Sequence, residues 1–321
     1  MTSRERVKKA LNFEKPDRVP FNFWMDRRLL MQYEKKYGKD FRVVHYDADV
    51  IETFPQLDWP AGKGIERDGS FWYQEPYLKD WKDADAIKMP DPLDKKAYEH
   101  IMSNLYMYPG KAIFVNIPGP FTVLHMIRLL DNLYYDIYDY PDELHKLIKR
   151  VMDIQNIVIK NVVKLPITAV YFQDDVASAT GLMFSVSMIN EFILDYFKEG
   201  IDMAKKAGKH VIYHSDGNVT DMLDILADTG INAVNPMQPD FNDFKKFKVK
   251  YYGKLAVYGG IDNTGIIPDG SVEEVSTHIK DVFETLGKDG GLILSSHDIP
   301  LYCPSENIDI MVETIKKCKY K

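Results

Sequence analysis

Six short apolar runs in this chain end abruptly in polar residues, and helical patterns follow them. In the clearest case residues 211–213 end in His214 and Asp216, and an amphipathic segment then continues to Gly230. The other polar exits lie at residues 116–120, 173–175, 235–238, 259–262 and 295–298. If these strands lie parallel in a barrel, all six exits meet at one mouth, where barrel enzymes place their chemistry.

Strand and helix patterns alternate from about residue 111 to the end of the chain. This alternation favours an α/β fold, specifically a closed (β/α)8 TIM barrel, and one domain over residues 1–321. A doubly wound sheet is the weaker alternative because no glycine-rich phosphate loop follows an early strand. The chain is 45% hydrophobic and 28% charged, which suits a large core and argues against disorder.

Charge and composition exclude several kinds of partner. The net charge is −7 and no Lys/Arg cluster persists, so nucleic acid is not an expected partner. No apolar run reaches membrane-spanning length, and no signal peptide opens the chain. Only Cys303 and Cys318 are present, which excludes a disulfide framework and predicts a reducing cytoplasm as the location.

The segment after the first helix is predicted to be a buried strand over residues 18–24. It would deliver Arg27 and Arg28 to the mouth, where an arginine pair together with Trp24 could bind a carboxylate-bearing small-molecule substrate. The alternative is that both arginines are surface charges at the start of the next helix.

Residues 49–90 interrupt the alternation with turns and aromatic side chains. Asp68-Gly69 lies between aromatic runs and predicts a hairpin. An aromatic-rich excursion of this length either covers the mouth or forms an oligomer contact, for instance in a homodimer.

The exit at residues 173–175 supplies Gln173, Asp174 and Asp175. Adjacent carboxylates here could hold a cation, take a proton or bind N–H donors, or one of them could cap the following loop. Because strand residues alternate in direction, only one of the two aspartates is expected to point into the mouth. Asp262 is a candidate for substrate binding, or equally for capping the next turn.

The exits also bring three metal-ligand side chains together. His214 and Asp216 are two residues apart on one side of an extended turn, and His297 arrives from the last strand in the same layer. Two histidines and one carboxylate from two strand ends suit a catalytic zinc site with an open position. The opposing interpretation is a structural histidine at each strand end and an aspartate that caps the turn before Val219.

These residues resemble the uroporphyrinogen decarboxylase superfamily, which contains the decarboxylase of tetrapyrrole synthesis and zinc-dependent methyltransferases that act with corrinoid proteins. The opening, residues 2–6 with residues 16–20, is similar to that of the family, and residues 119–122 resemble its Gly/Ala-Pro-aromatic-Thr turn. Residues 258–262 occupy the place of the Gly-Asn-Leu-Asp of the decarboxylase. The resemblance spans nearly the whole chain and implies a barrel enzyme.

The proposed ligand positions distinguish the two branches. The cobalamin:thiol methyltransferases resemble this chain but carry His-x-Cys where it has His214 and Asp216, and a further cysteine where it has His297. The decarboxylase has a counterpart of His297 only, and its N-terminal arginine signature is missing, with Arg27 and Arg28 standing nearby.

The resemblance therefore implies a zinc-dependent, methyltransferase-like enzyme that exchanges a methyl group with a corrinoid carried by a partner protein. Because two neutral imidazoles and one carboxylate leave zinc with a formal charge of about +1, we expect an O-methyl donor. Its expected site contains His214, Asp216 and His297 as metal ligands and Asp174, Asp175 and His297 as catalytic groups. The alternatives are a cofactor-free decarboxylase of the tetrapyrrole type and a non-catalytic barrel that only binds a small molecule.

Overall fold

The computed structural model describes residues 1–67 and 70–320. Within these residues the strands are, in chain order, β1 (Trp24–Met25), β2 (Val50–Thr53), β3 (Lys63–Arg67), β4 (Ser70–Glu75), β5 (Ala112–Pro118), β6 (Ala169–Gln173), β7 (Ala177–Ser178), β8 (Gly181–Leu182), β9 (His210–His214), β10 (Ala233–Asn235), β11 (Ala256–Ile261), β12 (Leu292–Ser296) and β13 (Asp298–Ile299).

The centre of the fold is a curled sheet of parallel strands in the order β2, β5, β6, β9, β10, β11, β12. Residues 19–25 fill the gap between its two edges. The N–H of Leu294 donates to the Pro20 carbonyl at 2.9 Å, and the N–H of Asp49 donates to the Phe21 carbonyl at 2.8 Å. The segment is thus hydrogen-bonded on both sides, which gives the barrel predicted from the sequence.

The eighth position of the barrel is less regular than predicted. Only Trp24 and Met25 form a strand there, and they pair with β13 rather than with the main sheet. Pro20 has no N–H to donate to a neighbouring strand. The N–H of Phe21 donates to the Asp49 carboxylate at 3.0 Å instead of to a strand carbonyl. A hydrogen bond to the Asp49 side chain therefore replaces one of the backbone hydrogen bonds between neighbouring strands.

Helices surround the barrel. They are α1 (Ser3–Leu11), α2 (Arg27–Tyr37), α3 (Phe41–Val44), α4 (Glu99–Met107), α5 (Pro120–Arg128), α6 (Leu130–Asp139), α7 (Pro141–Val162), α8 (Val186–Ile189), α9 (Asp195–Lys206), α10 (Leu223–Thr229), α11 (Phe244–Tyr251), α12 (Ile266–Asp269), α13 (Val272–Val282) and α14 (Ser305–Lys317). A π-helical turn, Asn190–Leu194, joins α8 to α9. No helix in the described ranges is long and apolar enough to cross a bilayer.

Local sequence explains where these elements begin and what they bury. Thr2 with Glu5 and Ser271 with Glu274 form capping boxes that start α1 and α13, as the sequence predicts. The barrel interior is filled from successive strands by side chains that include Phe114, Tyr171, Ile212, Tyr258 and Ile293. This packing holds the strand ends, and the polar residues that follow them, in fixed positions around the mouth.

The interpretation of residues 49–90 as turns and aromatics was incomplete, because β2 begins at Val50. Further on, β3 and β4 form an antiparallel hairpin. The predicted Asp68-Gly69 turn lies outside the described residues. The hairpin leans on α5, where the rings of Tyr73 and His125 are 6.1 Å apart, and Phe71 and Trp72 are exposed.

Candidate metal centre at the barrel mouth

A cavity of about 270 Å³ opens at the carboxyl ends of the barrel strands. It is lined by Trp24, Glu52, Phe54, Asn116, Tyr171, Gln173, His214, Asn235, Ser296, His297 and Asp298. These residues come from seven parts of the ring, and they include five of the six predicted strand exits, whereas no residue of the exit at 259–262 lines the cavity. Polar side chains make up most of this lining, and Trp24, Phe54 and Tyr171 add aromatic surface, so the cavity suits a small polar molecule.

His214 is the last residue of β9, and it is buried with both ring nitrogens engaged. Its Nδ1 lies 2.6 Å from the Asn235 Oδ1 and 3.2 Å from the Tyr171 hydroxyl. Its Nε2 lies 3.3 Å from the Asp175 carboxylate. The amide oxygen of Asn235 only accepts hydrogen bonds, so Nδ1 carries the proton and Nε2 is the nitrogen that a metal could use.

Asp216 and His297 complete a cluster with His214. The His297 Nδ1 is 3.6 Å from the Asp216 Oδ1, and the two imidazole centroids are 5.5 Å apart. One ligand atom from each of the three residues lies within 4.8 Å of the other two. The Asp216 Oδ1 is buried and has no hydrogen-bond partner among residues 1–67 and 70–320. A buried carboxylate oxygen without a donor is costly, and a cation would satisfy it.

The turn after Asp216 does not use this carboxylate as a cap. The N–H of Gly217 donates to the Gln238 side chain at 2.7 Å, and the N–H of Val219 donates to the Asn242 side chain at 3.2 Å. Other side chains thus accept the N–H groups of this turn. Asp216 therefore does not have the capping role that was the alternative to metal binding. Its carboxylate remains available to the cluster.

Charge at the cluster shifts the pKa of its members. Burial lowers the pKa of His214, but hydrogen bonding and negative charge from Asp175, with the charge of Asp216, outweigh burial and raise that pKa to about 9. Burial raises the pKa of Asp175, but His214 more than reverses this effect and lowers it to about 2. Without a metal, His214 is therefore an imidazolium paired with the Asp175 carboxylate.

The two adjacent aspartates face different ways, as strand alternation predicts. Asp174 turns away from the mouth and accepts the N–H groups of Phe121 and Thr122 at 3.2 and 2.6 Å, at the start of α5. Burial raises the pKa of Asp174 to about 7, although the two hydrogen bonds act in the opposite direction and lower it. Asp175 accepts the N–H of Asp216 at 2.9 Å and pairs with His214. Only Asp175 adjoins the cluster.

Replacing Asp174 with alanine should lower the free energy of unfolding by about 2 kcal/mol, because two N–H groups at the start of α5 lose their acceptor. Urea unfolding followed by circular dichroism measures this loss. Asp153→Ala is the matched control and should unfold near the wild-type midpoint, since the Asp153 side chain is 57% exposed and pairs with the exposed Lys149 on the same helix. An unchanged midpoint for Asp174→Ala would show that the capping bonds contribute little.

The predicted substrate residues divide into two groups. Trp24 and Gln173 line the cavity. Arg27 and Arg28 are at the start of α2, largely exposed, where Arg27 pairs with Glu66 at 3.4 Å and Arg28 with Asp26 at 2.9 Å. Neither arginine is among the cavity-lining residues, because the chain turns outward into the helix at Asp26.

Asp262 also lies away from the cavity lining. Its carboxylate accepts the N–H groups of Thr264, Gly265 and Ile266 at 2.9 to 3.1 Å, which caps the turn before α12. This is the alternative role that the sequence left open for it.

Sequence reasoning missed Glu52, the most connected polar residue of the cavity. Its carboxylate accepts from the Trp24 Nε1 at 2.9 Å, from the Asn116 Nδ2 at 3.0 Å and from the hydroxyl of Tyr258. The β-branched pair Val50-Ile51 before it was the available strand signal, but the aromatic residues that follow obscured it.

The residues of the cluster fit a zinc ion. Two imidazoles and one carboxylate match the donor set of catalytic zinc sites, and a fourth position would remain for a small molecule. The hydrogen bond from His214 Nδ1 to Asn235 is the outer contact that usually orients a zinc-bound histidine. The unpartnered Asp216 oxygen is the strongest sign of fit.

A parallel barrel with metal-ligand side chains at its mouth is typical of barrel enzymes. Comparisons with known proteins agree with this class. The family model for uroporphyrinogen decarboxylase (URO-D) matches residues 66–318. The chain belongs to this family, in which decarboxylases and methyltransferases share one fold.

Individual relatives represent both activities. A uroporphyrinogen decarboxylase of Chloroherpeton thalassium is 25% identical over 300 residues, covering 87% of this chain and 80% of the relative. The methylcobamide:CoM methyltransferase MtbA of Methanosarcina acetivorans is 28% identical over 130 residues, which are 40% of this chain and 37% of that protein. The structure of a methyltransferase from Methanosarcina mazei superposes with a TM-score of 0.72 at 18% identity, covering 99% of both chains. The last likeness concerns the fold alone.

Proposed function

We propose that this protein is a metal-dependent methyltransferase that takes a methyl group from an oxygen-linked small-molecule donor and passes it to a Co(I) corrinoid on a partner protein. The observation that carries the proposal is the cluster of His214, Asp216 and His297, in which the Asp216 oxygen lacks a donor. The methylcobamide:CoM methyltransferase relative supports a corrinoid as the second reactant, although its name gives the corrinoid as methyl donor and we propose the reverse direction here.

In the proposed mechanism His214, Asp216 and His297 hold Zn²⁺, which supplies Lewis-acid polarisation of the donor oxygen. With two neutral imidazoles and one carboxylate the ion keeps a formal charge of about +1, whereas one imidazole and two thiolates would bring it to about zero. A zinc ion with the more positive formal charge would polarise a donor oxygen more strongly, and it would leave a bound thiolate less nucleophilic. This argument supports an oxygen-linked donor.

The chain's own residues position the reactants. Asn235 fixes the tautomer of His214, and we assign Asp175 a positioning role because its carboxylate accepts the backbone N–H of Asp216 at 2.9 Å. In the overall transfer the donor C–O bond breaks and a Co–C bond forms. Cobalt is oxidised from Co(I) to Co(III), and the donor oxygen takes up a proton.

The runner-up is a cofactor-free decarboxylase, which the Chloroherpeton relative represents. An imidazolium at His214 with a pKa raised to about 9 would suit an acid in such a site. A substrate rich in carboxylates, however, needs cationic partners, and the two arginines considered for this task lie outside the cavity. We therefore rank methyl transfer first.

The direct test is an assay with purified protein, Co(I) corrinoid and a panel of small O-methyl ethers. Methylcobalamin formation, followed by its visible absorption, would support the proposal. Release of CO₂ from a porphyrinogen without any cobalt methylation would instead establish the decarboxylase reading. Binding of ethers without turnover of any kind would favour the non-catalytic barrel.

Zinc binding should depend on pH in a specific direction. Zinc needs the neutral form of His214, and because the pKa of this residue is raised to about 9, the ion must displace a proton below that pH. The apparent affinity should therefore rise about tenfold per unit between about pH 7 and pH 9. Competition with a chromophoric chelator measures it. In Asp175→Asn the pKa of His214 should fall, and the affinity should level off at lower pH. A pH-independent affinity in both proteins would contradict the assignment of His214.

A further inference from the structure

The cavity has a second polar end, separate from the metal cluster. Glu52 and Asn116 are on the paired strands β2 and β5, whereas His214 ends β9 and His297 follows β12. Trp24 and Phe54 line the cavity beside them. Nothing in the proposed methyl transfer uses this end.

The Glu52 carboxylate is held in place but is not saturated. Its Oε1 accepts from the Trp24 Nε1 at 2.9 Å, from the Asn22 Nδ2 at 3.3 Å and from the Tyr258 hydroxyl. Within the part of the chain that the structure describes, its Oε2 accepts only from the Asn116 Nδ2 at 3.0 Å. A carboxylate offers about four acceptor positions shared between its two oxygens, so Oε2 retains capacity for a further donor.

Asn116 provides a second unused acceptor. Its amide orientation is determined by chemistry, because the NH₂ group must face the Glu52 carboxylate. The Oδ1 is then the other atom, and it is buried, with no hydrogen-bond partner among the described residues, in a residue that is 6% exposed. A buried amide oxygen without a donor costs free energy, and a ligand donor would recover it.

The guanidinium of Arg42 packs against Trp24, but Arg42 does not itself line the cavity. Arg42 stacks on the Trp24 ring with its guanidinium 4.2 Å from the ring centroid, and it donates to the Phe23 carbonyl at 3.0 Å. Among residues 1–67 and 70–320, no lysine or arginine lines the cavity, whereas Glu52 and Asp298 both do. The cation of this cavity, the His214 imidazolium or a bound metal ion, belongs to the metal cluster, so an anionic group at Glu52 and Asn116 themselves would meet acceptors without a cation.

We propose that Glu52 and Asn116 form an acceptor subsite that binds a hydroxyl or amino group of the small molecule and discriminates against carboxylates. As a statement about the methyl donor this rests on the proposed function, and it narrows the donor to a small ether that carries an O–H or N–H group. The subsite itself requires only that a ligand enters the cavity.

Four probes with nearly the same skeleton test the subsite: methoxyethanol, methoxyethylamine, dimethoxyethane and methoxyacetate. They present a hydroxyl, an ammonium, no donor and a carboxylate. Their affinities are measured by ligand-observed NMR on the full-length protein after chelation, so that the carboxylate probe cannot bind to zinc. We expect the alcohol and the amine to bind at least about tenfold more tightly than methoxyacetate.

Glu52→Gln is the informative variant because it can fold without the subsite. Its amide oxygen can keep the bonds from Trp24 and Tyr258, and its new NH₂ can donate to Asn116 once that amide turns over. Both spare acceptors are then consumed. The amine should bind about tenfold more weakly, and its preference over methoxyacetate should disappear. Asn116→Leu should weaken binding of the alcohol, and Glu75→Gln on the exposed hairpin is the matched control.

Selective binding that is lost in Glu52→Gln upholds the subsite even if no methyl transfer is found. Methyl transfer by a protein that binds the four probes equally would uphold the proposed function and overturn the subsite. Tighter binding of methoxyacetate, unchanged selectivity in Glu52→Gln, or no binding of any probe at millimolar concentration would each overturn it as well. The unfolding midpoint of each variant confirms that it is folded.

Discussion

Removing the metal is expected to lower the rate of methyl transfer from an O-methyl donor to a Co(I) corrinoid by about a thousandfold or more. Lewis-acid activation of an oxygen leaving group stabilises a transition state by several kcal/mol, and about 4 kcal/mol corresponds to this factor. The measurement compares protein dialysed against a chelator with the same protein after stoichiometric zinc is restored. Activity should return with the metal.

His214→Ala should show the same loss, and zinc should not rescue it. The matched control is His45→Ala, which removes an exposed imidazole stacked on Tyr37 and should leave the rate unchanged. Full activity of the chelated protein would contradict metal dependence. In that case the catalytic groups would be the His214 imidazolium and the Asp175 carboxylate.

The second large effect should follow from changing the charge of the ligand set. In the double variant Asp216→Cys with His297→Cys, one imidazole and two thiolates lower the formal charge at zinc from about +1 to about zero. Because a less positive ion is a weaker Lewis acid, transfer from an O-methyl donor should fall about a hundredfold. Methylation of a thiol by methylcobalamin should increase. Both reactions are followed by the absorption of the corrinoid.

Asp216→Cys alone separates charge from ligand type. It exchanges one anionic ligand for another, so the formal charge at zinc stays at about +1 and oxygen-linked transfer should suffer much less than in the double variant. Equal losses in the single and double variants would show that ligand geometry, rather than charge, controls the reaction.

The fold could be predicted because the later strands carry two signals at once. Residues 169–173 and 210–214 are apolar or β-branched along their length and polar at the exit, and a helix pattern follows each. Seven regular parallel strands bear this out. Residues 19–25 do not form the regular strand that their pattern predicts, because the Asp49 carboxylate accepts the N–H of Phe21. A contact between residues so distant in sequence cannot be predicted from the local pattern.

Most of the predicted residues that the structure brings together directly follow strong strands, and Trp24 is the exception. His214, Asp216 and His297 come together because their strands are regular and their exits share one layer. Glu52 was missed because its strand has only four residues and precedes an aromatic segment. Arg27 and Arg28 had chemistry suited to a substrate carboxylate, but the sequence could not show that the chain turns outward at Asp26.

Asp174 and Asp175 illustrate what alternation can and cannot decide. Period-two geometry predicts that only one of them faces the mouth, but it does not say which one. The choice depends on the N–H groups of Phe121 and Thr122, which capture Asp174 across a gap of more than fifty residues in sequence. Tertiary contacts of this kind appear only in the folded chain.

Metal analysis of protein purified without a histidine tag tests the central claim most directly, namely that His214, Asp216 and His297 bind a divalent metal. The account predicts about one equivalent of zinc in the wild-type protein and less than about a tenth of an equivalent in His214→Ala and Asp216→Ala. Wild-type protein with less than about a tenth of an equivalent, unchanged by either substitution and not restored by added zinc, would contradict it.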